Sequence, residues 1–176
     1  MEAHVNGTLE QTEAGPRLRF VRDLAQPPER VWRAVTEPAE LVSWFPQRVL
    51  LARWAVGEAI QFEHERAPEA TFAGTVLVFE PPRVLEFTWG PDVLRFELER
   101  RGEGTQLTLL DTIEELGKAA RDGAGWHVCL EQLGHALDGS SAPSSSSQRW
   151  REVHASYVEQ LGPAAATIGP PAGTLD

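Results

Sequence analysis

The chain has 176 residues, 41% of them hydrophobic and 24% charged, a balance ordinary for a globular domain. At this length about 70% of the unfolded surface is buried on folding, so one core needs no disulfide or metal staple. The 26 acidic against 16 basic residues give a net charge of −10, which opposes nucleic-acid binding through a basic patch and adsorption to an anionic membrane.

Residues 1–16 are polar and aperiodic and read as a flexible tail, or at most a partial edge strand. Leu18, Phe20 and Leu24 then alternate on one side of a strand starting at Arg17. Pro27-Pro28 ends it, and Pro28 suits a first helical position. Val31, Trp32 and Val35 make one apolar helix face, which stops before Pro38. A second short helix runs from Ala39 to Trp44 and stops at Pro46.

Six antiparallel strands are expected next, at 49–54, 59–65, 70–80, 83–89, 93–101 and 105–113. Gly57, Pro81-Pro82, Gly90-Pro91 and Gly102-Glu103-Gly104 supply turns between them. A long amphipathic helix is predicted over 126–137, where Trp126, Leu130, Leu133 and Leu137 recur at i, i+4, i+7 and i+11. Residues 140–147 are a Ser-rich linker by composition. Residues 148–162 resume helical spacing through Trp150, Val153, Tyr157 and Leu161 as an accessory helix that must dock to be stable. Residues 163–176 read as a disordered Pro/Ala/Gly tail.

The order gives an α+β helix-grip domain over 17–139: a curved seven-stranded antiparallel sheet wrapped around a long C-terminal helix, with two short helices after strand one. The single cysteine, Cys129, permits no internal disulfide and fits a reducing compartment. The N-terminus lacks a signal-peptide pattern. No stretch reaches the ~20 apolar residues of a membrane span. A cytoplasmic protein is expected.

Four segments carry a family resemblance: AQPPERVWRAVTEPAELVSWF, GTVLVFEPPRVLEFTW, GEGTQLTLLD and GWHVCLEQL. In that order they resemble the activator of heat-shock-protein-90 ATPase homologue family, within the START-like (SRPBCC, polyketide cyclase and lipid transport) superfamily. The resemblance spans about residues 17–139. The helix from Trp150 to Tyr157 is similar to extensions of bacterial members. The resemblance implies the helix-grip fold, a cavity between sheet and helix, and a chaperone as one conceivable partner.

The expected ligand-binding set is Trp44, Phe62, His64, Phe72, Phe87, Trp89, Phe96 and Trp126, with Leu130, Leu133 and Leu137 as the helix wall. Apolar and aromatic linings with a few polar groups are typical of small-molecule sites, and His64 is the expected polar anchor. A filled core is the competing reading of the same residues.

His127, Glu131 and His135 lie at i, i+4 and i+8, but that ladder spans about 12 Å of helix and reads as a solvated face. Arg22 and Asp111 could pair across the first and last strands or sit exposed at strand ends. Cys129 reads as a small core residue. Glu114 and Glu115 read as solvated charges. No metal, cofactor or catalytic group is expected.

Three functions fit. The first is a START-like protein holding a small hydrophobic or aromatic molecule. The second is an interaction protein resembling the activators of the 90-kDa heat-shock-protein ATPase in a stress response, with a homodimer as a further option. The third is a small-molecule cyclase or hydrolase, for which His64, Arg22, Asp111 and Tyr157 are the available acid–base groups.

Overall fold

The computed structural model describes residues 6–170. The outermost parts of the two predicted tails, 1–5 and 171–176, lie outside these described residues. The strands are β1 (Thr8–Thr12), β2 (Gly15–Leu24), β3 (Arg48–Leu50), β4 (Ala59–Glu63), β5 (Phe72–Glu80), β6 (Val84–Trp89), β7 (Asp92–Arg101) and β8 (Gly104–Thr112). The helices are α1 (Pro28–Thr36), α2 (Pro38–Leu41), α3 (Ala119–Asp138) and α4 (Ser146–Leu161). The strands form one antiparallel sheet in the order β1-β2-β8-β7-β6-β5-β4-β3.

The fold is the predicted helix grip with eight strands instead of seven. The extra strand is β1, which pairs with β2 from Thr8↔Arg19 to Thr12↔Gly15. Its sequence shows no alternation because it is an edge strand with no fully buried residue. Backbone pairing, which side-chain patterning does not report, holds it in place. The 49–54 strand shortens to β3.

Register sets the inner face. Leu18 lies opposite Asp111 and Asp111 opposite Leu94; Phe20, Leu109, Phe96 and Leu85 form the next row. Residues directly opposite in a ladder share a face, so the side chain of Asp111 enters the core among leucines. That explains its complete burial.

The long helix starts seven residues before the predicted Trp126, at Ala119. Its first turns carry Ala119, Ala120, Gly123 and Ala124, all buried. Small residues add little to a hydrophobic stripe, yet they let the helix approach its neighbours closely. Gly139, at φ +70°, ends the helix in the left-handed conformation glycine tolerates.

α4 begins inside the Ser-rich stretch. Ser145 caps it by accepting the Gln148 backbone N–H at 3.2 Å, and Ser146 and Ser147 are helical. The helix docks through Val153 and Tyr157, both fully buried. No helix among the described residues is long and apolar enough to cross a membrane.

Candidate functional site: an aromatic cleft above buried carboxylates

A cleft of about 980 Å³ opens between the loop after α2, the loop joining β4 to β5, the β6–β7 turn, α3 from Arg121 to Gln132 and the start of α4. Its apolar walls are Trp44, Phe45, Phe72, Trp89 and Trp126. The rings touch in series: Phe72–Trp89 centroids are 5.7 Å apart, Trp89–Trp126 5.2 Å and Phe45–Trp126 5.6 Å. Such edge and tilted pairings hold ring positions. Each indole N–H is also satisfied: Trp44 donates to Ala34 O at 2.9 Å, Trp89 to Gln47 Oε1 at 3.0 Å and Trp126 to Asp111 Oδ2 at 2.8 Å.

The cleft contains five of the eleven predicted residues: Trp44, His64, Phe72, Trp89 and Trp126. The other six take no part in it. Phe62, Phe87, Phe96, Leu130 and Leu133 are buried in the closed core, and Leu137 is partly buried against it. Phe62, Phe87 and Phe96 stack at 5.8 and 6.2 Å, filling the space between sheet and helix that the sequence left open. His64 lies just past the end of β4. Its Nδ1 is buried without a hydrogen-bond partner among the described residues.

The polar end of the cleft holds residues the sequence reading missed. Asp92 and Lys118 form a buried pair: Lys118 Nζ donates to Asp92 Oδ1 at 2.7 Å and Oδ2 at 2.8 Å. The Glu114 backbone N–H also donates to Asp92 Oδ1, at 2.9 Å. Arg121 Nε donates to Asp122 Oδ1 at 2.7 Å. One carboxylate oxygen from each of Asp92, Asp111 and Asp122 lies within 4.8 Å of the others. Asp111 Oδ1 and Asp122 Oδ2 are buried and have no hydrogen-bond partner among the described residues.

Burial, reinforced by the charges of Asp122 and Asp92, pushes the Asp111 carboxyl well above the usual carboxylate range. Burial also raises Asp122, with Arg121 opposing. The signal for the cluster was hidden, because Asp92, Asp111 and Asp122 come from two strands and a helix and share no sequence motif.

Other predicted features change place. Arg22 faces Leu107 in the ladder, and its guanidinium lies 5.8 Å from the Phe20 ring centre. Asp111 therefore bonds Trp126, not Arg22, and is neither exposed nor at a free strand end. His127 is buried, not solvated: its Nδ1 is 3.0 Å from Tyr157 Oη and its Nε2 3.1 Å from Glu131 Oε1. α4 supplies that cover, which helical spacing within α3 could not reveal. Tyr157 also accepts the Gly7 N–H at 3.1 Å, so it ties α4, α3 and the N-terminal segment together. Burial holds the Tyr157 phenol up at about 12. Cys129 lines the cleft as a thiol, pushed by burial to about 12. Glu114 and Glu115 are exposed.

Residues 25–138, more than half of the chain, match the model of the Activator of Hsp90 ATPase homolog 1-like protein family. The chain belongs to that family.

Solved structures agree on the fold. It superposes on the conserved protein of unknown function EF2215 from Enterococcus faecalis with a TM-score of 0.73 at 20% identity, covering 88% of this chain and 90% of that one. CalU16 from Micromonospora echinospora gives 0.68 at 20% identity, over 89% and 96%. The protein encoded by BPP1335 from Bordetella parapertussis gives 0.67 at 28% identity, over 91% and 95%. No curated protein matches the chain in sequence. The family match ends at Asp138, so α4, which covers His127 and adds Trp150 to the cleft, lies beyond it.

Proposed function

We propose that this START-like domain binds an uncharged hydrophobic molecule, aromatic in character, in the cleft beside α3. One observation carries the reading. The cleft presents an aromatic lining while the charged pairs at its polar end are already closed within the protein, Lys118 on Asp92 and Arg121 on Asp122. A ligand carboxylate or phosphate would have to compete with those carboxylates for both cations, whereas an uncharged flat ring meets indole and phenyl faces at no such cost. Of the residues expected from sequence, Trp44, His64, Phe72, Trp89 and Trp126 remain the proposed contacts, and His64 Nδ1 remains a free polar group for orientation.

Native mass spectrometry of the purified protein, followed by tryptophan-fluorescence titration with uncharged bicyclic and tricyclic aromatics, tests this. Co-purified mass or saturable quenching that weakens at least tenfold in Trp89→Ala is the expected result. A clean apo mass with no saturable response to any compound would reject the reading. The family's name supports a second reading, an interaction with the 90-kDa heat-shock chaperone. Co-purification with that chaperone, and stimulation of its ATPase, is its test.

A further inference from the structure

We propose that the carboxyls of Asp111 and Asp122 hold one proton between them beside the cleft, and that an uncharged ligand is bound together with that proton. The second half rests on the binding reading given above.

Charge counting motivates the proton. Asp92, Asp111 and Asp122 would carry three negative charges within a few ångströms, and Lys118 and Arg121 supply two positive ones. One charge is left over. Hydrogen bonding identifies where it sits. Both Asp92 oxygens are taken by Lys118, one Asp122 oxygen by Arg121 and one Asp111 oxygen by Trp126. The remaining Asp111 Oδ1 and Asp122 Oδ2 are both acceptors, both buried and both without a partner. Two anionic carboxylates held this close repel, and each forgoes a hydrogen bond. A single proton turns one of them into a donor for the other and cancels the excess charge. The aspartate χ2 torsion is soft enough to let the two oxygens close. A divalent cation, by contrast, would leave the cluster with a net positive charge beside Lys118 and Arg121. Burial favours the protonated form of both carboxyls.

The link to the cleft is direct. Asp122 lines it, and Trp126, one of its walls, is the group that donates to Asp111. An uncharged ligand that displaces water from this end lowers the local polarity and so favours the neutral carboxyl. By reciprocity, the proton favours the ligand. The other titratable groups on the cleft walls are Asp92, Lys118 and Arg121 at the same end, Cys129 on α3, and His64 and Glu69 across it.

Two measurements on the full chain test this. Infrared difference spectra of the ligand-free protein near neutral pH are expected to show a protonated carboxylic C=O band that disappears in Asp111→Asn. Fluorescence titration with uncharged N-phenyl-1-naphthylamine is expected to show affinity falling as pH rises through the range in which that band is lost, by up to about tenfold per pH unit. Asp111→Asn, whose amide mimics the protonated acid, should bind the probe with a flat pH profile. Asp122→Asn repeats the test if the first variant does not fold.

Absence of the infrared band overturns the shared proton. Probe binding that is independent of pH in the wild type, or a slope that survives in both variants and vanishes in His64→Gln, overturns the linkage. Saturable stabilisation of EDTA-treated protein by Ca²⁺ or Mg²⁺ would replace the proton with a metal. No probe binding at any pH rejects the ligand reading and the linkage with it, and the infrared band still decides the proton separately.

Discussion

Trp126 on α3 donates its indole N–H to Oδ2 of Asp111 on β8 at 2.8 Å. It is the polar stitch between the gripped helix and the sheet, made where both residues are buried. The same tryptophan walls the cleft, so helix position, cleft shape and the Asp111 carboxyl are set together.

Trp126→Phe keeps much of the ring volume and removes that donor. It leaves Oδ2 of a fully buried carboxyl without its donor, and the expected loss is about 2–3 kcal/mol. Urea unfolding checks it. A loss below about 0.5 kcal/mol would mean the bond contributes nothing net.

The Lys118–Asp92 pair is buried on both sides, at 11% and 3% side-chain exposure. Lys118→Met abandons a buried carboxylate and should cost about 3–5 kcal/mol. Adding Asp92→Asn should recover most of it, because the uncompensated charge goes too. Thermal or denaturant unfolding of the single and double variants gives the comparison, and a double variant no better than the single would refute the account.

Asp111 and His127 make stability depend on pH with opposite signs. The Asp111 carboxyl is raised in the fold, so the native state holds a proton the unfolded chain releases. Stability is full below the unfolded value of about 4 and declines as pH climbs toward the folded value. The imidazole of His127 is lowered, chiefly by burial. Its contribution is full above the unfolded value of about 6.5 and is lost as pH falls through the folded value. The net profile is therefore blunted just below the unfolded histidine value of about 6.5, where the two slopes oppose. Unfolding free energies across pH 4–9 should show Asp111→Asn steepening the net rise with pH in that window, and His127→Gln leaving the decline. Two variants with unchanged profiles would remove both groups from the explanation.

Tyr157 Oη accepts from Gly7 and meets His127 Nδ1. Tyr157→Phe deprives both partners and should cost about 1–3 kcal/mol, concentrated in α4 and the N-terminal segment. Amide hydrogen exchange should show faster opening of α4 while β6, β7 and β8 stay protected. Uniform acceleration across the domain would contradict a local role. Gly123 packs on the same ring: a Cβ there would lie 3.2 Å from it, so the α3–α4 seam has little spare room at that position.

The sequence by itself determined the helix grip. Period-2 alternation in the long strands, proline and glycine at the turns and the Trp126–Leu137 stripe each report burial through local spacing, and local spacing is what a sequence displays. It also supplied the aromatic residues of the cleft, mixed with others of the same kind. Only the tertiary structure decided which of them face open space. Phe62, Phe87 and Phe96 alternate like cleft residues, yet they stack on one another because adjacent β6 and β7 bring Phe87 and Phe96 together, and Phe62 on β4 reaches Phe87 across Gly74 of β5. The carboxylate cluster was invisible for the same reason. Asp92, Asp111 and Asp122 are ordinary single acids along the chain, and the β7–β8 register and the approach of an alanine- and glycine-rich helix start put them within 4.8 Å of each other. Spacing fixes which side of an element a residue occupies; distances between elements, and therefore cavities and coupled charges, exist only once those elements are packed.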